Sequence, residues 1–369
     1  MAHRSKYEPP GASSRASGFG ELLAGSLAAL SVSDADRKRE LGRADRIMPG
    51  VWRLRLPLPW PGVPHVNAFA IRSGDGLVLV DTGIHEAGSI EELQRALSQA
   101  GYSLDDIHLL ICTHAHTDHY GQVATIVEAT GAEFLMHPRH EHMTNALANP
   151  DQALERRIEV ARQSGVPLKP LREWAERRRS DPPSIAGVVL PDRDLVPDVE
   201  IETDLGSWSV HETPGHAPSH VVLFQPEHRL LLSGDHLLGR VSLYFDYGWT
   251  PDPVAEFMSS LDRVERLRSR LCLPGHGRAF ADVQAHIEAN RAEIRERLGR
   301  ISAVAVEPKT AFELVPEVFG RELDPMMASW MLTILLCFLT HLEREGRVER
   351  VPPDSDSEPE YWKSLRKIT

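Results

Sequence analysis

The sequence predicts an α/β protein with a core domain, a helical insertion and a helical C-terminal unit. The chain has 369 residues, which exceeds one typical domain. From residue 48 onward, short apolar runs typical of buried strands alternate with segments of helical periodicity. Histidines and aspartates directly follow several of these apolar runs. The three observations together favour a sheet-based core whose loops carry metal-binding residues.

Residues 1–46 are predicted to be an N-terminal extension that is partly disordered. Residues 7–20 are rich in Pro, Gly and Ser, and residues 20–41 could form one or two helices on the outside of the core. The apolar stretch 22–30 is short and is broken by small residues, so a secretory signal is not expected.

The core segment is predicted to contain strands bounded by turn residues, with helices between them. A turn-rich loop at 59–64 separates the first two strands, and the helix at 88–99 has apolar residues spaced for one face. A further helix is expected from residue 121 and another over 252–270. The strands are expected at 50–57, 65–71, 77–80, 107–112, 133–137, 208–212, 229–232 and 271–273.

The stretch 113–121 is the most informative part of the chain. It places His114, His116, Asp118 and His119 within six residues, between an apolar strand and a helix start. Imidazole nitrogens and carboxylate oxygens suit zinc and related divalent metals. Alternate residues of an extended loop point the same way, so His114 and His116 can share one metal while Asp118 and His119 face a second.

Two metal shells need further ligands, and three later loops offer them. His216, Asp235 and His276 each follow a short apolar run and lie close to a glycine that allows a tight turn. Each of the three is therefore a candidate ligand at the end of a strand.

These seven residues together resemble the metallo-β-lactamase-fold hydrolases, over about residues 50–280. The resemblance implies a four-layer αββα sandwich over residues 47–285 and a site for two divalent metal ions. One metal would be held by His114, His116 and His216, the other by Asp118, His119 and His276, with Asp235 bridging them.

The same resemblance suggests residues that support the ligands or contact the substrate. Asp81 would orient the His-x-His loop rather than bind metal, and His220 would likewise hold a ligand in place. Tyr244 or Tyr247 could donate a hydrogen bond to a leaving group or an oxyanion, with packing as the alternative. Trp60 is either part of a substrate flap or a cover for the end of the sheet.

The resemblance implies a dinuclear metal-dependent hydrolase, similar to glyoxalase II and its β-lactamase-like relatives. A hydroxide held between the metals would attack an ester, thioester or lactone carbonyl. Asp118 would ligate and could steer or accept a proton, which makes it the candidate catalytic residue. Zinc is the expected metal, with iron or manganese as alternatives. The alternative function is a phosphodiesterase or endoribonuclease of the same fold.

The amino-acid composition indicates which kind of molecule the protein binds and in which compartment it works. The net charge of −12 disfavours a nucleic-acid binder, so a small-molecule substrate is expected. Three cysteines without paired spacing indicate a reducing compartment, and hence the cytoplasm. The apolar segment 326–342 is shorter than the roughly 20 residues of a membrane span, and a buried helix or a homodimer contact explains it better.

Residues 149–180 are predicted to be a helical insertion of two helices separated by Pro167 and Pro170. The second helix carries four arginines interleaved with glutamates, which favours a solvated face over a lid for an anionic substrate. The preceding histidines, His137, His140 and His142, could be extra ligands but are interpreted as structural or surface residues, and the alternative for His137 is contact with the substrate or support of a ligand.

Residues 286–369 are predicted to form a winged-helix-like domain of three helices and a small β wing. Acidic residues outnumber basic ones in this segment, which is a poor footprint for binding phosphate. Packing near the substrate pocket is the expected role of this unit.

Overall fold

A computed structural model of the chain describes residues 41–60, 62–320, 325–353, 355 and 358–365, and the side chains of 325–328 are not described. The helices predicted within residues 20–41, and the disorder predicted near the N-terminus, fall on or next to the undescribed residues 1–40. Everything below concerns the described part of the chain.

The first sheet has seven strands in the order of the chain, from β1 to β7. The first four strands pair antiparallel, and the pairs β4–β5, β5–β6 and β6–β7 are parallel. The strands are β1 (Arg43–Met48), β2 (Val51–Trp60), β3 (Val63–Ser73), β4 (Gly76–Val80), β5 (Ile107–Ile111), β6 (Glu133–Met136) and β7 (Arg193–Asp194).

The second sheet has five strands in the order β12-β11-β10-β9-β8. Only β11 and β12 pair in parallel, because a crossover helix joins them, and the other pairs are antiparallel. The strands are β8 (Glu200–Thr203), β9 (Gly206–Glu212), β10 (Val221–Gln225), β11 (Leu230–Gly234) and β12 (Leu271–Pro274).

The two sheets pack face to face around one hydrophobic core. Apolar side chains such as Ile71 and Val80 of the first sheet meet Trp208 and Leu223 of the second. The outer face of the first sheet packs against helices α1 (Ser89–Ala100) and α3 (Val123–Thr130), and the outer face of the second packs against α7 (Pro253–Leu267) and α8 (Val283–Val304). These four layers are the predicted αββα sandwich.

Strands with apolar residues on both faces are typical of sheets covered on both sides. The five residues of β10 and of β11 are all buried, as are four of the five in β4. The continuous apolar runs in the sequence therefore correspond to strands that are covered by helices on one face and by the partner sheet on the other.

The insertion lies between β6 and β7. Its helices are α4 (Glu141–Ala148), α5 (Pro150–Gln163) and α6 (Leu168–Arg179), and the last two are the pair predicted over 149–180. Pro167 lies between α5 and α6 as predicted, whereas Pro170 lies inside the first turn of α6, where the missing N–H is not needed.

The C-terminal unit continues from α8 into α9 (Ala311–Phe319) and α10 (Pro325–Arg344), and then into a two-stranded sheet of β13 (Val348–Val351) and β14 (Tyr361–Ser364). The order of three helices and a small sheet is as predicted. Their buried residues, including Phe338 and Trp362, share one hydrophobic cluster with the outer face of the second sheet. The unit is thus continuous with the fourth layer of the sandwich.

Several details differ from the sequence prediction. Strand β1 lies partly inside the segment 1–46, and its polar edge-strand sequence carries no apolar alternation. Strands β7, β8 and β10 were not predicted, although the residues of β10 are mostly apolar. The loop at 59–64 is a tighter hairpin, because β2 runs through Trp60 and β3 begins at Val63.

The sequence predicted no membrane-spanning helix. Across the described ranges, every helix falls short of the length and apolar character that crossing a bilayer requires.

Candidate metal centre

The His-x-His loop leaves the end of β5 and enters the short helix α2 (Thr117–Tyr120). Asp81, just after β4, accepts hydrogen bonds from the Thr113 backbone N–H (2.8 Å) and from the Thr113 hydroxyl (3.0 Å). Asp81 itself adopts a left-handed backbone conformation with φ 64°, which is uncommon outside glycine. This turn holds the carboxylate beneath the loop, so two adjacent parallel strands fix where the loop begins.

Three histidines converge on one point. The Nε2 atoms of His114 and His216 each lie 3.0 Å from Nδ1 of His116. His114 is fully buried, and all three ligand atoms lie within 4.8 Å of one another. Three nitrogens facing one point match the donor set of a tetrahedral metal with an open position.

A second group lies beside the first. Asp118 Oδ2 is 3.2 Å from His276 Nε2 and 3.6 Å from His119 Nε2. Asp118 and His119 come from α2, while His276 follows β12 in the other sheet. The centre therefore lies where the strand ends of the two sheets meet.

Asp235, after β11, faces both groups. One of its oxygens is 3.4 Å from His119 Nε2, and the other is 3.3 Å from His276 Nε2 and 3.8 Å from His216 Nε2. The structure thus brings all seven predicted ligands together: His114, His116, Asp118, His119, His216, Asp235 and His276.

The outward nitrogens of two ligand histidines are held by carboxylates. His119 Nδ1 donates to Asp81 (2.9 Å), and His116 Nε2 donates to Asp246 (3.0 Å). Burial alone would raise the pKa of Asp246, but the imidazole of His116 outweighs it and lowers that pKa to about 2. Asp246 therefore remains a carboxylate and fixes which nitrogen of His116 faces the centre.

The other three histidines are held by neutral acceptors. His114 Nδ1 bonds the Thr113 hydroxyl (3.0 Å), which in turn donates to Asp81. His216 Nδ1 donates to the Tyr244 carbonyl (3.1 Å), and His276 Nδ1 donates to the His65 carbonyl (2.9 Å). Every histidine of the centre thus has one fixed nitrogen and presents the other inward, which is how metal-binding histidines are oriented.

The inward atoms lack ordinary partners. His119 Nε2 and Asp235 Oδ1 are buried, and neither makes a well-formed hydrogen bond to the described protein. An unpaired buried polar atom is costly, so both are atoms that a cation would satisfy. The donor set, its outward support and these two atoms all fit divalent metal ions.

The two groups of candidate ligands differ in the charge that they favour. Burial lowers the pKa of His216 to about 4, which favours the neutral imidazole that binds metal. Burial also opposes protonation of His276, but the carboxylates of Asp235 and Asp118 outweigh it and raise that pKa to about 10. The carboxylate side of the centre therefore attracts positive charge.

Backbone geometry leaves room for the ligands. A Cβ added at Gly275 would collide with Asp235 and His119, so only glycine fits there. The Gly275 N–H donates to the Gly234 carbonyl (2.8 Å), which ties the His276 loop to the Asp235 loop.

The remaining candidates lie around the ligands. His220 accepts a hydrogen bond from the Asp235 backbone N–H (3.0 Å) and bonds the Thr213 hydroxyl (2.8 Å). The Tyr244 ring lies 5.7 Å from the rings of both His116 and His216. Tyr247 packs against the hydrophobic cluster that the second sheet shares with the C-terminal helices.

Two residues lie next to the centre outside the predicted ligand set, and only Asp246 was not singled out from the sequence. Asp246 contacts His116 as described, and His142 Nε2 lies 3.5 Å from the same Asp246 oxygen. For His142 the sequence favoured a structural or surface role, whereas the side chain is buried beside the ligands. Asp246 carried no local signal, because it is 130 residues from His116 in the chain.

The other noted residues lie apart from the ligands. His137 pairs with Glu212 (3.0 Å), and His140 bonds Thr144 (2.9 Å). Trp60, at the tip of the β2–β3 hairpin, makes an edge contact with Trp330 of α10, with 6.0 Å between ring centroids. The hairpin therefore packs against the C-terminal unit.

The family model of the metallo-beta-lactamase superfamily matches residues 61–276. The probable metallo-hydrolase YqjP of Bacillus subtilis is 27% identical over 323 residues, covering 84% of this chain and 94% of that protein. A crystal structure of a metallo-beta-lactamase family protein from Thermus thermophilus superposes with a TM-score of 0.73 at 27% identity, covering 86% of this chain and all of that one.

One relative that matches only part of this chain has a more specific name. Over 142 residues the chain is 28% identical to a protein of Aspergillus fumigatus named atrochrysone carboxyl ACP thioesterase, covering 34% of this chain and 43% of that protein. The family match, the full-length relative and the convergent histidines and aspartates agree on the class of enzyme. The chain belongs to the metallo-beta-lactamase superfamily and is a metal-dependent hydrolase.

Proposed function

We propose that the protein is a dinuclear hydrolase that cleaves an ester, thioester or lactone. The observation that carries the proposal is the position of Asp235, whose two oxygens face His119 on one side and His216 and His276 on the other. A single carboxylate shared by two groups of ligands is the arrangement expected of two neighbouring metals.

Two metals at this site would supply Lewis acidity and lower the pKa of a water towards neutrality. Zinc is our first choice, because five imidazoles and two carboxylates form its usual donor set, and iron or manganese are the alternatives. His114, His116 and His216 would hold one ion, and Asp118, His119 and His276 the other.

The protein residues would orient the reacting groups. Asp118 is buried among the ligands, and one of its oxygens would ligate while the other steers or accepts a proton. Asp81 supports both groups at once, because it holds His119 directly and His114 through the Thr113 hydroxyl. Deep burial of these supports keeps the ligands at fixed positions before the substrate arrives.

The substrate reaches the ligands from one side. The side chains of His116 and His276 keep 13% and 16% of their surface exposed, whereas His119 is fully buried. Tyr244, beside His116 and His216, lies where it could contact the departing group. Burial raises the pKa of Tyr244, so the hydroxyl stays protonated and able to donate.

Carbonyl substrates are favoured over phosphodiesters for two reasons. The net charge of −12 gives little attraction for a polyanion. The arginines of α6 that could have bound phosphate lie on its solvent face, where Arg178 pairs with Asp181 and Arg179 pairs with Glu176 and Glu155. The relative named as an ACP thioesterase also supports an acyl substrate.

We infer that the protein works in the cytoplasm on a small-molecule substrate. Cys112, Cys272 and Cys337 are all free and buried, which agrees with a reducing compartment. A homodimer remains a separate proposal, which sedimentation of the purified chain would test.

The experiment is a hydrolysis panel with the zinc-loaded enzyme and a His114→Ala blank. The panel contains acyl-glutathione and acyl-CoA thioesters, an aryl ester, a lactone, a phosphodiester and a short single-stranded RNA. We expect cleavage of one or more carbonyl substrates that the blank does not show. Selective cleavage of the phosphodiester or the RNA would refute the proposed substrate class.

A further inference from the structure

A cavity of about 790 Å³ lies between the insertion and the C-terminal unit. Helices α4, α5 and α6 form one side, and α9 and α10 form the other. Its volume falls in the range of roughly 300–1,000 Å³ that is typical of sites enclosing a small molecule. None of the seven candidate ligands comes from the insertion or the C-terminal unit. The cavity is the feature that these two additions form together.

The cavity reaches the metal centre through its inner wall. His142, Tyr244 and Asp246 line it, and Asp246 lies 3.0 Å from His116. The Tyr244 ring also contacts His116 and His216. Asp246 and Tyr244 therefore belong both to the cavity wall and to the immediate surroundings of the first group of ligands.

The wall is unusually aromatic. Six of its 28 lining residues are aromatic, whereas aromatic residues make up 6% of the chain. Aromatic side chains bring large apolar area to a site at low cost in conformational entropy. The six are Trp174, Tyr244, Tyr247, Trp249, Phe312 and Trp330.

Most charged groups in the wall are already paired. Glu159 is held by Arg162 (2.7 Å), and Glu155 is held by Arg179 (2.9 Å). Arg156 stacks on Trp249, 4.6 Å from the ring centroid, and donates to the Gly248 carbonyl. The paired glutamates and the stacked arginine leave an interior suited to apolar groups.

We propose that this cavity binds the acyl part of the substrate, and that this part is bulky and apolar. The inference rests on the proposed acyl hydrolysis, which needs a place for the acyl group next to the ligands. A small acyl group such as acetyl would leave most of the aromatic wall uncovered. A long aliphatic chain and a fused aromatic ring share the required chemistry, and the test separates them.

The first experiment measures binding without turnover. Calorimetry on the zinc-loaded full chain compares decanoate, 2-naphthoate and acetate, which are the products of the three substrate types. The filling variant is Ala153→Trp, because Ala153 lines the cavity from α5. The control is Glu173→Trp, which places the same ring on the exposed face of α6, outside the cavity wall.

We expect decanoate or 2-naphthoate to bind more tightly than acetate. Ala153→Trp should weaken that binding by roughly tenfold or more, as expected when a ring occupies an apolar pocket, while Glu173→Trp should not. Binding of only one of the two ligands would identify the acyl group as aliphatic or aromatic, and either result supports the proposal. Ala161→Phe, also in the wall, replaces Ala153→Trp if the latter does not fold.

The second experiment measures hydrolysis of the matching N-acetylcysteamine thioesters. We expect kcat/KM to be higher for the decanoyl or naphthoyl thioester than for the acetyl thioester, with Ala153→Trp removing most of that preference. If no thioester is cleaved but the bulky products still bind in a cavity-dependent way, the proposed reaction fails and the binding site stands. Equal binding of all three products, insensitive to Ala153→Trp, would overturn the inference.

Discussion

Asp246 provides the most specific prediction, because the sequence did not reveal it and the structure places it against a ligand. Its carboxylate accepts from His116 Nε2 at 3.0 Å and faces His142 Nε2 at 3.5 Å. Asp246→Ala removes both contacts and frees His116 to rotate. Losing such an outer support typically costs about 10–100-fold in metal affinity or activity.

That range corresponds to about 1.4–2.8 kcal/mol of metal-binding free energy. We expect Asp246→Ala to lie near its upper end, because the lost bond is charge-assisted and buried, and Asp246→Asn to lie near the lower end, because the amide oxygen can still accept from Nε2. The assay is competition with a chromogenic zinc chelator, followed by kcat/KM on the best substrate from the hydrolysis panel.

The control for Asp246 is Asp105→Asn, an exposed carboxylate in the single 3-10 turn (Leu104–Asp106) just before β5. It should match the wild type in both measurements, which separates a local effect from a change in net charge. If Asp246→Ala retains wild-type zinc affinity and wild-type kcat/KM, then Asp246 does not orient His116 and the reasoning is wrong.

Three further predictions concern other parts of the molecule. Asp81→Ala should lower metal content and destabilise the fold by about 1–3 kcal/mol for each donor left unsatisfied, since Thr113 and His119 lose their acceptor; denaturant titration with metal analysis would show it, and an unchanged midpoint with full metal content would contradict it. Arg157→Ala should raise KM for acyl-CoA thioesters by roughly tenfold but hardly affect a neutral ester, because Arg157 lines the cavity yet is exposed to solvent, so it can pair with a phosphate of CoA while the acyl group lies inside; equal KM changes for both substrates would refute this. Phe338→Ala should destabilise the whole chain by about 3–5 kcal/mol, since this buried ring packs 5.7 Å from the Phe245 ring beneath the cavity; a thermal melt that loses only the C-terminal helices would contradict it.

The seven candidate ligands could be picked out from the sequence because each is marked locally. His114, His116, Asp118 and His119 form one short motif, and the later ligands follow apolar strands next to glycines. Strand ends of a layered sandwich converge at one edge, so a local pattern was enough to place residues that are far apart in the chain.

The residues that hold the candidate ligands in place were harder to predict from the sequence. Asp81 and His220 could be named from the family resemblance, but Asp246 and His142 approach the centre from segments with no regular pattern. Asp246 follows a stretch without regular secondary structure, and His142 lies in the insertion. Their role depends on how the insertion packs, which no spacing rule encodes.

The same holds for the fold: elements that are marked in the local sequence were predicted, and features that depend on contacts between distant segments were not. Apolar strands and amphipathic helices were predicted from periodicity, whereas β1 was missed because an exposed edge strand has little apolar alternation. The C-terminal helices were predicted as elements, but the core that they share with the second sheet depends on contacts between distant segments. The cavity between those helices and the insertion was therefore not predictable from the sequence.

The metal content of Asp235→Ala, measured by mass spectrometry beside the wild type, tests the central claim most directly. The wild type should bind two zinc ions per chain, because two groups of ligands share this carboxylate. Asp235→Ala should lose at least one of them, together with hydrolysis. Retention of two tightly bound ions and the full rate by Asp235→Ala would contradict a shared carboxylate between two metals.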